Sequence, residues 1–260
     1  MVTGIFRAAA IRTWQKTFRR PVHLTFSLLQ PMMWMLFFGF LMQRFPVEEL
    51  PAAVDYTSFL LPGICAMTVL FGASQVGIGL IRDMQSGFLQ RVLASPAPRW
   101  VLHAGKLSAD GIRLLLQLVV VLGLGVLVGA SVSLAVLPLL LALLTAFFFA
   151  VAFGSLSCFL ALRSRKQETM AAFVHAVNMP VFFTSTALVP QRQMPEWLAV
   201  VAAWNPLTPT VEALRGALLF QTMPSLTSQV LPMLVLAVGL SALAIWEMRR
   251  GALISPWESR

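Results

Sequence analysis

The chain is predicted to be an all-α integral membrane protein with six transmembrane helices, and three observations carry that prediction. Hydrophobic residues make up 58% of its 260 residues and charged residues only 11%, more apolar surface than a soluble fold of this length can hide. The apolar residues gather into runs of about twenty, the length that crosses a hydrocarbon core of about 30 Å. The basic residues fall between those runs, on alternate connections, as in a chain threaded back and forth through a bilayer.

Residues 1–21 read as an interfacial amphipathic helix. Ile11, Trp14 and Phe18 recur at helical spacing while Arg7, Arg12, Lys16, Arg19 and Arg20 largely occupy the other side. Pro21 closes it, and the six-helix domain then covers 22–250. No small-residue cleavage site follows the first apolar run, so that run is expected to stay in the membrane. The first span is placed at 22–42 and the second at 57–81. The second holds Gly63, Gly72, Gly77 and Gly79, small residues that admit close helix packing.

The third span, 107–130, opens with Lys106, Asp110 and Arg113 at ion-pairing distance along a helix. The fourth is 134–162. The fifth, 169–189, carries His175 and Asn178 three residues apart. Residues 190–228 contain two apolar pieces, 197–204 and 211–220, each too short to span and set off by prolines. They are expected to be short re-entrant helices on the membrane face, with Glu212 and Arg215 able to pair. The sixth span is 230–246, and a tail follows at 251–260.

Charge gives the threading its direction. Arg7, Arg12, Lys16, Arg19 and Arg20, then Arg82, Arg91, Arg99 and Lys106, then Arg163, Arg165 and Lys166, then Arg249, Arg250 and Arg260 all fall on one side. The opposite loops hold only Arg44 and Arg192, with Arg215 on the short helices. Both termini are therefore expected in the cytoplasm. This distribution, together with anionic lipid as partner, accounts for the net charge of +9 without nucleic acid. Cys65 and Cys158 both sit inside apolar runs, too few and too isolated for a disulfide framework, and read as buried thiols.

Residues 82–99, on the cytoplasmic side by this count, are too polar to cross and too patterned for an ordinary loop. Phe88, Val92 and Leu93 share a helical face bordered by Leu89, with Asp83, Gln85, Gln90 and Arg91 around it, and Ser95-Pro96 stops the helix. Such a helix covers either lipid headgroups or a partner protein.

The sequence lacks the motifs of several chemistries. No Gly-x-x-x-x-Gly-Lys-Ser/Thr phosphate loop, clustered metal ligands or nucleophile elbow is present. The chain is thus not expected to be an enzyme, to hold a metal or to bind a cofactor of its own. If ATP drives it, the nucleotide site is on another polypeptide. Gln117, His175 and Asn178 are the polar residues within spans that would meet a hydrophobic cargo. An ion-coupled carrier and a membrane-embedded lipid-modifying enzyme are the alternatives, the latter resting on Asp110 with His103.

Two motifs bring in a resemblance. The stretch Arg82-Asp-Met-Gln-Ser-Gly-Phe-Leu-Gln-Arg-Val-Leu-Ala-Ser-Pro is similar to an acidic-x-x-x-Gly-Thr-x-x-x-Leu-x-x-(Ser/Thr)-Pro segment, with Phe88 where threonine is commoner. Trp204-Asn-Pro-Leu-Thr-Pro with Glu212-Ala-Leu-Arg215 is close to an Asn-Pro…Asp/Glu-x-x-Arg stretch. In both, and over nearly its whole length, the chain resembles the membrane subunits (permeases) of ABC-2-type exporters of drugs, lipo-oligosaccharides and cell-surface polymers.

The resemblance implies that 82–99 is a coupling helix docking on a separate cytoplasmic ABC ATPase, which would hold ATP and magnesium. Asp83, Gln85, Ser86, Gly87, Phe88, Leu89 and Arg91 would make that contact. It also implies a second permease subunit, as homodimer or heterodimer, and a re-entrant motif of Asn205, Pro206, Glu212 and Arg215.

Overall fold

The computed structural model describes residues 21–42, 55–88, 98–133 and 135–251, the side chains of 21–27 and 251 excepted. The interfacial helix read over 1–21 lies outside these residues but for Pro21, which opens a helix. Leu89 and Arg91, with the rest of 89–97, and the tail at 252–260 also lie outside them. Every described element is helical. In chain order they are α1 (Pro21–Leu41), α2 (Tyr56–Ser74), α3 (Val76–Gln85), α4 (Arg99–Leu127), α5 (Val136–Ser164), α6 (Gln167–Phe183), α7 (Glu196–Trp204), α8 (Thr208–Leu219) and α9 (Leu231–Gly251). Four stretches are long and apolar enough to cross a membrane: Tyr56–Gln85, α4, α5 and Leu226–Arg250. The part of α1 with described side chains, Leu28–Leu41, and α6, with 17 residues, are shorter. This is a multi-pass membrane protein.

Helix ends depart from the expected ones for a local reason. α4 starts at Arg99, eight residues before the apolar run, and α3 carries Arg82, Asp83, Met84 and Gln85 as helix. The first four residues of the stretch read as a cytoplasmic segment therefore continue the second span. Backbone hydrogen bonding does not stop where side chains become polar; it stops at a breaker. Here the breakers are Gly87, at φ 69°, and Pro98, just before α4. The 29 residues of α4 reach about 43 Å, well beyond the hydrocarbon core.

α6 stops early instead. The fifth apolar run extends to Val189, but the helix ends at Phe183. Thr184 Oγ1 donates to the Pro180 carbonyl (2.8 Å) and Ser185 Oγ to the Phe182 carbonyl (2.6 Å). These local bonds compete with the helical ladder, and residues 184–190 form turns.

α2 is the axis of the bundle, packing against α1, α4, α5, α6 and α8. In the Tyr56–Gln85 span 78% of the most apolar stretch is buried, against 22% in the last span, whose α9 lies along α5. Ile64, Met67 and Leu70 meet Leu114 and Leu118 of α4, Phe149 of α5 and Leu214 of α8 in one core. A second, smaller cluster joins Val76, Leu80 and Ile81 of α3 to Leu102, Cys158, Met170 and Met248. It lies at the end from which 86–98 emerges, here called the loop end.

α8, read as a short re-entrant helix on the membrane face, is packed between α2 and α5 with Val211, Ala213, Leu214, Ala217 and Leu218 buried. Of the two short helices, α7 presents the apolar outer face, through Trp197, Val200, Val201 and Trp204.

Candidate functional site

At the loop end the connection between α3 and α4 is anchored on both sides. Gln167 Nε2 of α6 donates to Gln85 Oε1 (2.8 Å), and Arg99 Nη1 donates to the Met248 carbonyl of α9 (2.8 Å). The α3 stop is a glycine turn, with the Gly87 N–H donating to the Met84 carbonyl (3.1 Å) and the Ser86 N–H to Arg82 (3.0 Å). The predicted contact residues divide here. Gln85 and Ser86 are exposed, Gly87 and Phe88 half-buried, and Asp83 is buried inside the chain.

Asp83 turns toward a cluster of charges. Lys106 Nζ is 3.0 Å from Asp110 Oδ2, and Arg113 Nε is 3.5 Å from Asp110 Oδ1. A methyl on Gly79 would sit 3.7 Å from Lys106 Nζ, and the ammonium is within electrostatic reach of Asp83. Lys106 of α4 thus comes close to α3 at Gly79. Close by, His103 Nε2 lies 3.3 Å from Ser155 Oγ, which lies 2.9 Å from Ser241 Oγ. That chain of polar contacts links α4, α5 and α9.

The three polar residues expected along a path occupy different environments. His175 is exposed on α6, Gln117 is buried in α4, and Asn178 is wholly buried. Asn178 Oδ1 accepts from Ser74 Oγ at 2.8 Å. His175 and Asn178 are three residues apart on α6, yet one is exposed and the other buried.

The opposite end of the bundle is held by the second motif. Asn205 Nδ2 donates to the Val181 carbonyl (2.7 Å) and to Thr184 Oγ1 (2.9 Å), while its Oδ1 accepts from the Leu207 N–H (2.8 Å). Pro206 follows it into α8 and is half-buried. Arg215 is 5% exposed. Its Nη1 meets Glu212 Oε1 at 2.7 Å, its Nη2 donates to the Thr186 carbonyl at 2.8 Å, and its guanidinium lies 3.9 Å above the Phe59 ring. Tyr56 Oη adds a bond to the Leu188 carbonyl (3.1 Å). The motif therefore satisfies the turn at 184–190, whose carbonyls have no helical partners and could not be left bare in a bilayer.

Sequence reasoning did not single out Ser74, Ser157, Ser155, Ser241 or Tyr56. The available signal was hydroxyl residues inside apolar runs, paired with the glycines of the second span, since a hydroxyl there needs a backbone or neighbouring acceptor.

Comparison with known proteins agrees with this arrangement. The family model described as "ABC-2 type transporter" matches residues 5–219. A protein bearing the name transport permease ycf38, from Cyanophora paradoxa, is 32% identical over 76% of this chain and 68% of its own length. The ycf38 protein of Pyropia yezoensis is 30% identical over 80% and 72% respectively. The daunorubicin resistance ABC transporter permease protein DrrB1 of Streptomyces coeruleorubidus is 25% identical over 75% and 68%. With its two motifs, helical bundle and matched span all in agreement, this chain belongs to the ABC-2 type transporter family, as a transport permease.

Proposed function

We propose that this chain is the membrane subunit of an ATP-driven exporter, moving a hydrophobic or lipid-linked cargo out of the cytoplasm or the inner leaflet. A drug or antibiotic is the first cargo to consider and a glycolipid the second. The observation that carries the reading is the short connection between α3 and α4. Gln85 and Arg99 pin its two ends to α6 and α9, as a segment that transmits force requires. The relative named for daunorubicin resistance supports a drug-like cargo.

In this reading α1 and α6 complete six spans in a bacterial inner membrane, with both termini and the loop end cytoplasmic. A separate ABC ATPase supplies ATP and magnesium, and a second permease subunit completes the path. Gln85, Ser86, Gly87, Phe88, Leu89 and Arg91 meet the ATPase, while Asp83 is buried within electrostatic reach of Lys106. His175, exposed on α6, meets the cargo; Gln117 and Asn178 are reached only if the helices part. Asn205, Pro206, Glu212 and Arg215 hold the outer end.

The test is co-expression with a candidate ABC ATPase and replacement of Phe88 and Leu89 by aspartate. The double substitution is expected to abolish co-purification of the ATPase and ATP-dependent uptake of cargo into inverted vesicles. Association and export at parental levels would defeat the assignment.

A further inference from the structure

The second span is one apolar run in the sequence but two helices in the structure, α2 and α3, parted at the exposed Gln75. Proline is not the cause, since Pro62 sits more than three turns earlier. The break comes from α5. Its Ser157 hydroxyl accepts the Gly77 N–H (2.9 Å) and donates to the Ser74 carbonyl. A side chain has thus entered the helical ladder, one of the few causes of a sharp interruption. Gly77 permits this, because a methyl there would lie 2.4 Å from the Ser157 carbonyl oxygen.

Beside the break stands Asn178 of α6, its side-chain amide tied to Ser74 Oγ at one end. Its other end, the amide nitrogen, has no hydrogen-bond partner among the described residues although the residue is fully buried. Whichever way the amide is turned, Ser74 satisfies one end only. A buried donor without a partner is costly in a membrane interior. An adjacent arrangement in which the Ser74 carbonyl left Ser157 and took the amide would move the unpaired donor from Asn178 to the Ser157 hydroxyl. Two arrangements that each leave one buried donor unpaired carry a similar cost, and at one helix break they make a two-state element.

We propose that Gln75 is a pivot. α3 turns on it relative to α2, Ser157 holds the state described above, and Asn178 supplies the donor for the alternative. Ser157 and Asn178 are positioning residues of opposite sense. The pivot rests on the hydrogen bonds alone. Its use, to convert a push on the α3–α4 connection into rotation inside the membrane, rests on the ATPase-docking reading.

The experiment measures distances between nitroxide pairs in the full chain in lipid nanodiscs, with Cys65 and Cys158 replaced by alanine. Labels at Arg82→Cys and Leu137→Cys report α3 against α5; labels at Leu127→Cys and Leu137→Cys serve as control. Ser157→Ala is expected to raise a second Arg82–Leu137 distance population about fivefold, with the control unchanged. Asn178→Leu is expected to collapse the distribution to the parental distance. Should Ser157→Ala fail to assemble, Gly77→Ala, which wedges the same contact, takes its place with the same expected direction.

An unchanged Arg82–Leu137 distribution in Ser157→Ala, or in Gly77→Ala where that takes its place, overturns the pivot. With the partner ATPase bound, ATP is expected to populate the second distance in the parent chain. A second population in Ser157→Ala with no response of the parent to ATP would keep the pivot and remove the docking reading.

Discussion

The two ends of the bundle use their polar residues differently. At the short-helix end, Asn205 and Arg215 spend their donors mainly on backbone carbonyls: Val181, Thr186 and Ala187. At the loop end, Lys106, Asp110 and Arg113 pair side chain with side chain, and Ser155 bridges His103 and Ser241. Carbonyl oxygens of a turn have fixed positions and no helical partners, so the groups that satisfy them are locked in place. Side-chain pairs, along α4 for the ions and between helices through Ser155, keep rotamer freedom and can exchange partners. The contrast assigns rigidity to one end and adjustability to the other.

Arg215→Ala should break that contrast most strongly. It removes the Glu212 pair, the carbonyl bonds and the Phe59 contact. The Glu212 side chain is 38% exposed, so the loss, about 2–4 kcal/mol, comes mainly from the orphaned turn carbonyls and the ring contact. The thermal midpoint of the purified chain in detergent should fall sharply, and Arg215→Lys, which keeps the charge but not the fork, should recover only part of it. A midpoint unchanged by Arg215→Ala would place the rigidity elsewhere.

Asp110→Asn should cost less, about 2 kcal/mol, because it leaves Lys106 and Arg113 with a weaker acceptor rather than none. The companion Lys106→Met with Asp110→Leu removes both charges and should regain most of that loss. Urea or guanidinium titration of the reconstituted chain reads both; additive losses would mean that Lys106 and Asp110 act independently.

The smallest effect separates close approach from open surface. At Gly123 a methyl meets nothing within 4 Å, and at Gly63 it would lie 2.4 Å from the Ala187 carbonyl oxygen. Gly123→Ala should stabilise α4 by about 0.5–1 kcal/mol, seen as a small rise in thermal midpoint. Gly63→Ala should lower it, by displacing the turn that Arg215 holds. Equal responses would show that the α2 contact with residues 184–190 is slack.

Much of the architecture could be read from residue order. Apolar runs located the cores of the four long spans, and the proline-bounded pieces at 197–204 and 211–220 became α7 and α8. The pairing of Glu212 with Arg215 and of Lys106 with Asp110 followed from helical spacing. Ends were less legible. Residues 99–106 read as loop because they are polar, yet helix continues wherever no breaker stands. The break at Gln75 was invisible because its cause is 82 positions away, on Ser157.

Hydropathy is a sum over neighbouring residues, so the sequence by itself determined that this is a membrane protein, roughly where it crosses, and which family motifs it carries. Which way a polar side chain finally faces depends on residues far along the chain. Asn178 meets Ser74 across 104 positions and Ser157 meets Ser74 across 83. Only the tertiary structure decided that Asn178 is buried while His175 is exposed, that Lys106 comes close to α3, and that Arg215 holds a turn, because burial and hydrogen-bond partners exist only once helices are packed.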